Sequence, residues 1–292
     1  MEDYIKNTEN LLVKAVERCC DVDDIGIIFS SGLDSTLIGV LASRFTKVRA
    51  YAVGLKDSHD IVFAEKIQSH VDFDVEIIEI EKEDVENSLK PILSAINEPN
   101  PLKVSVGIPF YIASKKASND NLKIMLCGQG GDELFGGYNR YVETVSTKGY
   151  KELEKELKED TAEIYEKQLN YDIKITGLNN IVLRFPYMDS DFVKYVSEIP
   201  AELKIYEVKD KPEFSCVDKS DNREFIRKYI QREVAQRLNI PDFILNRKKK
   251  AAQYGSGVNN ILEKLARENN FKKIASDNRR KDYTRMYLES LM

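Results

Sequence analysis

The succession of apolar runs predicts an α/β fold, a doubly wound parallel sheet followed by a mainly helical C-terminal part. Three observations carry the prediction. Short runs rich in β-branched residues, at 25–29, 48–53, 75–80 and 122–126, read as strands. The segments between and after them, 34–45, 61–71, 84–96 and 105–117, carry apolar residues three and four apart, the period of a helix with one packed face. After Tyr138 strand-like runs almost vanish, and charged helical stretches such as 150–168 and 223–238 take over.

Strand, helix, strand in this order implies right-handed crossovers, with helices on both faces of the sheet. A soft boundary falls near residue 145, giving an α/β part over 1–145 and a helical part over 146–292. No repeat, low-complexity tract or Pro/Gly-rich linker separates the two, so close packing is expected. The charge run 151–160 reads as the solvated face of a helix rather than a docking surface.

Composition narrows the chemistry. The 292 residues can bury a substantial core, and the net charge of -5 is small for that length. No run approaches the roughly 18 apolar residues of a membrane span, and Met1-Glu2-Asp3 does not begin a secretory signal. A cytoplasmic protein is therefore expected, with no membrane partner. Cys19, Cys20, Cys127 and Cys216 form neither a CxxC metal pair nor a disulfide framework. With only His59 and His70, a histidine-rich metal centre is excluded and histidine-based nucleophilic catalysis is disfavoured. The chemistry falls to carboxylates, Lys, Arg, backbone amides and a hard cation.

The segment Phe29-Ser30-Ser31-Gly32-Leu33-Asp34-Ser35-Thr36 follows the first strand and opens a helix. A helix start offers unpaired N–H groups and the positive end of the dipole, and small residues let a phosphate approach them. Ser30, Ser35 and Thr36 add hydroxyls, and Gly32 supplies backbone freedom for a tight turn. Asp34 would repel a bare phosphate, so its presence points to Mg²⁺ shared between carboxylate and phosphate oxygens. A local capping role for Ser and Asp is the competing reading. The pattern lacks the GxxxxGK[ST] spacing of kinases and GTPases.

At the end of the second strand, Val53 is placed to meet a ligand with its backbone or to end a buried strand in a glycine turn. After the fourth comes Cys127-Gly128-Gln129-Gly130-Gly131-Asp132-Glu133-Leu134-Phe135-Gly136-Gly137-Tyr138, with five glycines in twelve residues. Glycines there let the backbone run close to a ligand, and Asp132 is the natural second ligand to the same Mg²⁺. Glu133 reads as a helix cap or a support behind the site.

Taken together, 30–36 and 128–138 resemble the pyrophosphate loop and glycine-acid motif of the asparagine synthetase family, whose relatives include β-lactam synthetase. Glu98-Pro99, Pro109-Phe110-Tyr111, Arg184-Phe185-Pro186-Tyr187-Met188-Asp189 and Arg247-Lys248-Lys249 are similar to its other elements, so the resemblance covers about residues 10–260. It implies a sheet of the PP-loop ATP-pyrophosphatase type. It also implies that ATP adenylates a carboxylate with release of pyrophosphate, after which ammonia or an amine displaces AMP, as in amino-acid biosynthesis.

The resemblance carries nucleotide contacts onto Phe29, Ser30, Gly32, Asp34, Ser35, Val53, Cys127 and Gly128, and Mg²⁺ onto Asp34 and Asp132. It carries catalytic roles onto Lys249, Gln129 and Arg184. For Lys249, an ammonium stabilising charge on the α-phosphate competes with membership of a solvated basic run.

The sequence also departs from the family. Glu2 stands where a glutaminase domain would expose a cysteine, so nitrogen is expected from free ammonia, a separate glutaminase or another amine. Ser31 replaces a usual glycine, Gln129 a usual acid, and Val182 an acid two residues before the arginine. An amide cannot take up a proton as a carboxylate does, which leaves the acceptor open.

Two other readings remain. One adenylates a tRNA nucleobase, with Cys127 as sulfur carrier rather than packed thiol. The absence of a basic-aromatic cluster or zinc pair argues against a nucleic-acid partner. The other is a non-catalytic nucleotide-binding partner.

Overall fold

The computed structural model describes residues 1–248 and 255–292. An amphipathic helix, α1 (Glu2–Arg18), leads into β1 (Asp24–Ile28), α2 (Leu33–Ala42), β2 (Lys47–Leu55), α3 (His59–Ile67) and β3 (Asp74–Ile80). Next come α4 (Lys82–Ile96), α5 (Pro101–Asn119) and β4 (Ile124–Cys127). The pattern of β-branched runs thus produced the four expected strands. Helix α1 was not anticipated, although Ile5, Leu12, Ala15 and Val16 lie on one buried face at helical spacing.

The strands are parallel in the order β3-β2-β1-β4-β5, the last being β5 (Val182–Arg184). Alternation along each strand sends Ile25, Ile27, Ala50 and Leu126 into the core under α1, α2 and α3. It sends Tyr51, Val53, Met125 and Cys127 into the core under α4 and α5. Burial on both faces is why these runs read as almost continuously apolar.

Beyond β4 come α6 (Gly131–Phe135), α7 (Asn139–Lys148), α8 (Tyr150–Ile164), a π-helical turn (Tyr165–Leu169) and α9 (Asn170–Gly177). After β5 follow a 3₁₀ turn (Pro186–Met188), α10 (Ser190–Glu198), α11 (Ala201–Lys204) and β6 (Ile205–Glu207). Then come β7 (Asp218–Ser220), β8 (Arg223–Arg227), α12 (Tyr229–Arg237) and α13 (Asp242–Leu245). The chain finishes with α14 (Val258–Glu268), α15 (Phe271–Asp277) and α16 (Tyr283–Glu289).

One correction concerns 223–238, expected to be helical throughout. Its first residues form β8, the centre of an antiparallel sheet of order β6-β8-β7. Phe225 and Ile226 on β8 point to opposite faces, and each enters a different core. Residue 145 lies inside α7, and Phe192, Ile230 and Ile244 share the core beneath β1 and β2.

Candidate active site

The loop after β1 and the glycine segment after β4 meet at the carboxyl edge of the sheet, where parallel α/β folds bind ligands. No described side chain caps the start of α2, and the first amide groups of a helix are the natural place for an anion. Ser30 and Ser35 hydroxyls lie 3.3 Å apart, and Ser35 Oγ donates to the Gly32 carbonyl. Ser31 has φ of 55°, the left-handed region that glycine adopts without cost. Its buried hydroxyl donates to the Asp60 carbonyl at 3.2 Å, which partly offsets the strain.

Glycines 128 and 137 explain the density of that residue type in the second loop. A Cβ at Gly128 would stand 2.9 Å from Asp34 Cβ and 3.1 Å from Ser35 N, and one at Gly137 would overlap Asp132 and Lys228. The two loops therefore interlock through backbone, and the glycines admit Asp34 and Lys228 as well as any ligand.

Asp34 and Asp132 converge on Lys228, the left-handed residue at the turn from β8 into α12. Its Nζ lies 2.7 and 2.5 Å from the two Asp34 oxygens and 2.7 Å from Asp132 Oδ1. Gln231, one turn along α12, donates to Asp34 Oδ1 at 2.8 Å and to Tyr187 Oη at 2.7 Å. Lys228 was missed in the sequence. The available signal was two basic residues, Arg227 and Lys228, inside the apolar stretch Phe225 to Ile230, since a buried ammonium requires acids.

Arg247 fixes the first loop from outside. Its guanidinium donates to the Ser30 carbonyl at 2.9 Å and to Asp60 Oδ1 at 2.6 Å, and it stacks 4.3 Å over Phe63. Lys249, two residues further on, lies outside the described residues.

Two cavities adjoin at this edge. The smaller, about 100 Å³, is lined by Phe29, Ser30, Asp34, Ser35, Val53, Cys127 and Gly128, the set expected to contact nucleotide apart from Gly32. Gly32 lines a small neighbouring recess with Lys228 and Arg247. Burial pushes the Cys127 thiol well above its ordinary pKa, as befits a packed residue rather than a reactive one. The larger cavity, about 460 Å³, is walled by α5, the glycine segment, α7, α8 and α9. Gln129 and Asp132 line both cavities. Glu133, expected as a cap or support, also lines the larger one and accepts a 2.6 Å hydrogen bond from Tyr138. Asp160, from the charge run read as solvated, bonds Arg140 and Tyr141 there.

Arg184 requires correction. It is the register partner of Leu126, whose side chain packs beneath α1, so Arg184 leaves the sheet on that face. Its guanidinium bonds the Cys19 carbonyl and Asp21 instead of reaching the cavities. Val182 is exposed at the outer strand and lines neither cavity.

An unforeseen acid, Asp172 on α9, lines the larger cavity and accepts from Gln129 Nε2 at 3.3 Å. Burial raises its pKa from 3.8 to about 8, against the lowering effect of Gln129. A folded-state pKa above the unfolded one means that stability falls as pH rises from about 4 to about 8. Asp172→Asn should therefore add roughly 4 kcal/mol of stability at pH 7, read as a higher melting temperature, and do little at pH 4. Thermal melts at the two pH values test this, and equal shifts at both would exclude the linkage.

The fold and this cleft define an α/β protein with an anion-ready loop and an acid pair at the edge of a parallel sheet. Residues 7–168 and 143–291 match the asparagine synthase family, and the chain belongs to that family. It is 38% identical over 273 residues to a provisionally named glutamine-hydrolysing asparagine synthetase 1 of Methanocaldococcus jannaschii, covering 88% of this chain and 50% of that protein. It is 25% identical over 278 residues to human glutamine-hydrolysing asparagine synthetase, covering 91% and 46%. The chain thus spans about half the length of these relatives. Among solved structures, one described as a predicted tRNA methyltransferase subunit from Methanocaldococcus jannaschii aligns with a TM-score of 0.32 and 14% identity. That alignment covers 76% of this chain and 92% of the other, and is too distant to inform the site. No described helix is long and apolar enough to cross a membrane.

Proposed function

We propose that the chain is an ATP-dependent, carbon–nitrogen bond-forming ligase that adenylates a carboxylate and transfers the acyl group to ammonia or an amine. The observation that carries this is the common wall formed by Gln129 and Asp132 between the loop cavity and the larger one. A shared wall supports a reading in which an acyl adenylate formed in the first cavity meets a nucleophile that enters through the second. In this reading the N-terminal amides of α2 with Ser30 and Ser35 bind the phosphates, and a carboxylate oxygen of the acceptor attacks the α-phosphorus as pyrophosphate leaves. The amine then attacks the acyl carbon and AMP departs.

Mg²⁺ fits the donor set. Asp34 and Asp132 already converge on one cationic atom. No group of three or more His, Cys, Asp or Glu occurs among the described residues, so phosphate and water oxygens would complete the shell. When bound, the ion would offset the growing charge on the leaving pyrophosphate. The resemblance supports Lys249 as the ammonium that faces the α-phosphate.

The test is pyrophosphate release from Mg·ATP with aspartate and ammonium, beside other carboxylates, amines and bulk tRNA. Release that requires a carboxylate and is completed by an amine is the expected result. Release with tRNA alone would move the acceptor to a nucleobase, and tight ATP binding without release would sink the ligase reading.

A further inference from the structure

Asp172 is the acid that the family motifs leave unassigned. It is 2% exposed, lines the larger cavity, and among the described residues its carboxyl has one hydrogen-bond partner, Gln129. The cations around that cavity are engaged elsewhere. Lys103 bonds Glu98 at 2.6 Å and stacks 3.8 Å over Tyr171, Arg140 bonds Asp160 at 2.6 Å, and Lys167 pairs with Glu163. None is committed to holding Asp172 as a permanent carboxylate, and desolvation keeps its proton affinity near that of a base working around neutral pH. Gln129 stands where the related enzymes usually carry an acid, and its amide nitrogen is directed to an acid on α9 instead.

We propose that Asp172, in the larger cavity, is the proton acceptor of the amide-forming step, held there by Gln129, which lines both cavities. The inference rests on the adenylation reading. Ammonia or a primary amine forms a bond to the acyl carbon, and its nitrogen becomes positively charged. The bond from that carbon to the phosphate oxygen breaks with its electron pair, releasing AMP, while one nitrogen-bound proton passes to the Asp172 carboxylate and later to solvent.

The test compares two nucleophiles, ammonia and hydroxylamine, on the carboxylate that supports pyrophosphate–ATP exchange. The hydroxylamine adduct is the more acidic, so water can take its proton, whereas the ammonia adduct depends on a protein base. Asp172→Asn is expected to lower the ratio of amide to hydroxamate about 10²-fold, and Asp172→Glu, which keeps a carboxyl, to recover part of it. A ratio unchanged in Asp172→Asn, or rates that fall together and are not rescued by glutamate, would overturn the inference. Absence of exchange in the wild-type protein with every carboxylate tried would instead overturn the adenylation reading on which the step depends.

Discussion

Lys228→Met is expected to destabilise the protein by about 3–5 kcal/mol, because it removes a buried ammonium that two nearly buried carboxylates share. Methionine fills the same space, so the loss isolates charge from packing. The lysine also holds a left-handed backbone at φ 58°, a conformation that costs free energy and persists only where the surroundings impose it. Urea or thermal denaturation measures the effect. The double variant Lys228→Met/Asp132→Asn should be more stable than Lys228→Met alone, since one of the two carboxylates that shared this ammonium is then neutral. A single variant as stable as wild type would show that the trio does not hold the loops together.

Asp34→Asn should lower pyrophosphate release by about 10²–10³-fold while altering stability far less. The substitution keeps the shape and can still bond Lys228, which retains Asp132 as a partner. What it removes is the negative charge that the proposed Mg²⁺ site requires. Raising the Mg²⁺ concentration should recover part of the rate. Full turnover at ordinary Mg²⁺ would contradict the metal assignment, and an equally large fall in melting temperature would mark Asp34 as structural.

The sheet was legible because strands buried on both faces leave dense β-branched runs, and the two loops because glycine, serine and aspartate followed those runs directly. Strands β5 to β8 were not, since three to five residues with charges among them, such as Arg223-Glu224-Phe225-Ile226-Arg227, give no clear period. Arg184 was misplaced for a related reason. Its position in a motif is visible in sequence, but the face of the sheet it leaves from is set by pairing register with β4. Asp172 sits in a polar stretch, Asn170-Tyr171-Asp172, where nothing distinguishes a buried acid from a solvated one. Its burial comes from the packing of α9 against α4 and α5, which no local pattern encodes.

The tie between Arg247 and the first loop links residues more than two hundred positions apart, and Lys228 reaches Asp34 across nearly as many. During synthesis, β1 to β4 are made while these basic groups are still untranslated. Asp34 and Asp132, which follow β1 and β4, are then made before Lys228. A ribosome stalled before Lys228 would hold a nascent chain with the first loop present and its anchors missing. Protease nicking near Ser30 should report that state, and protection should appear only after Arg247 emerges.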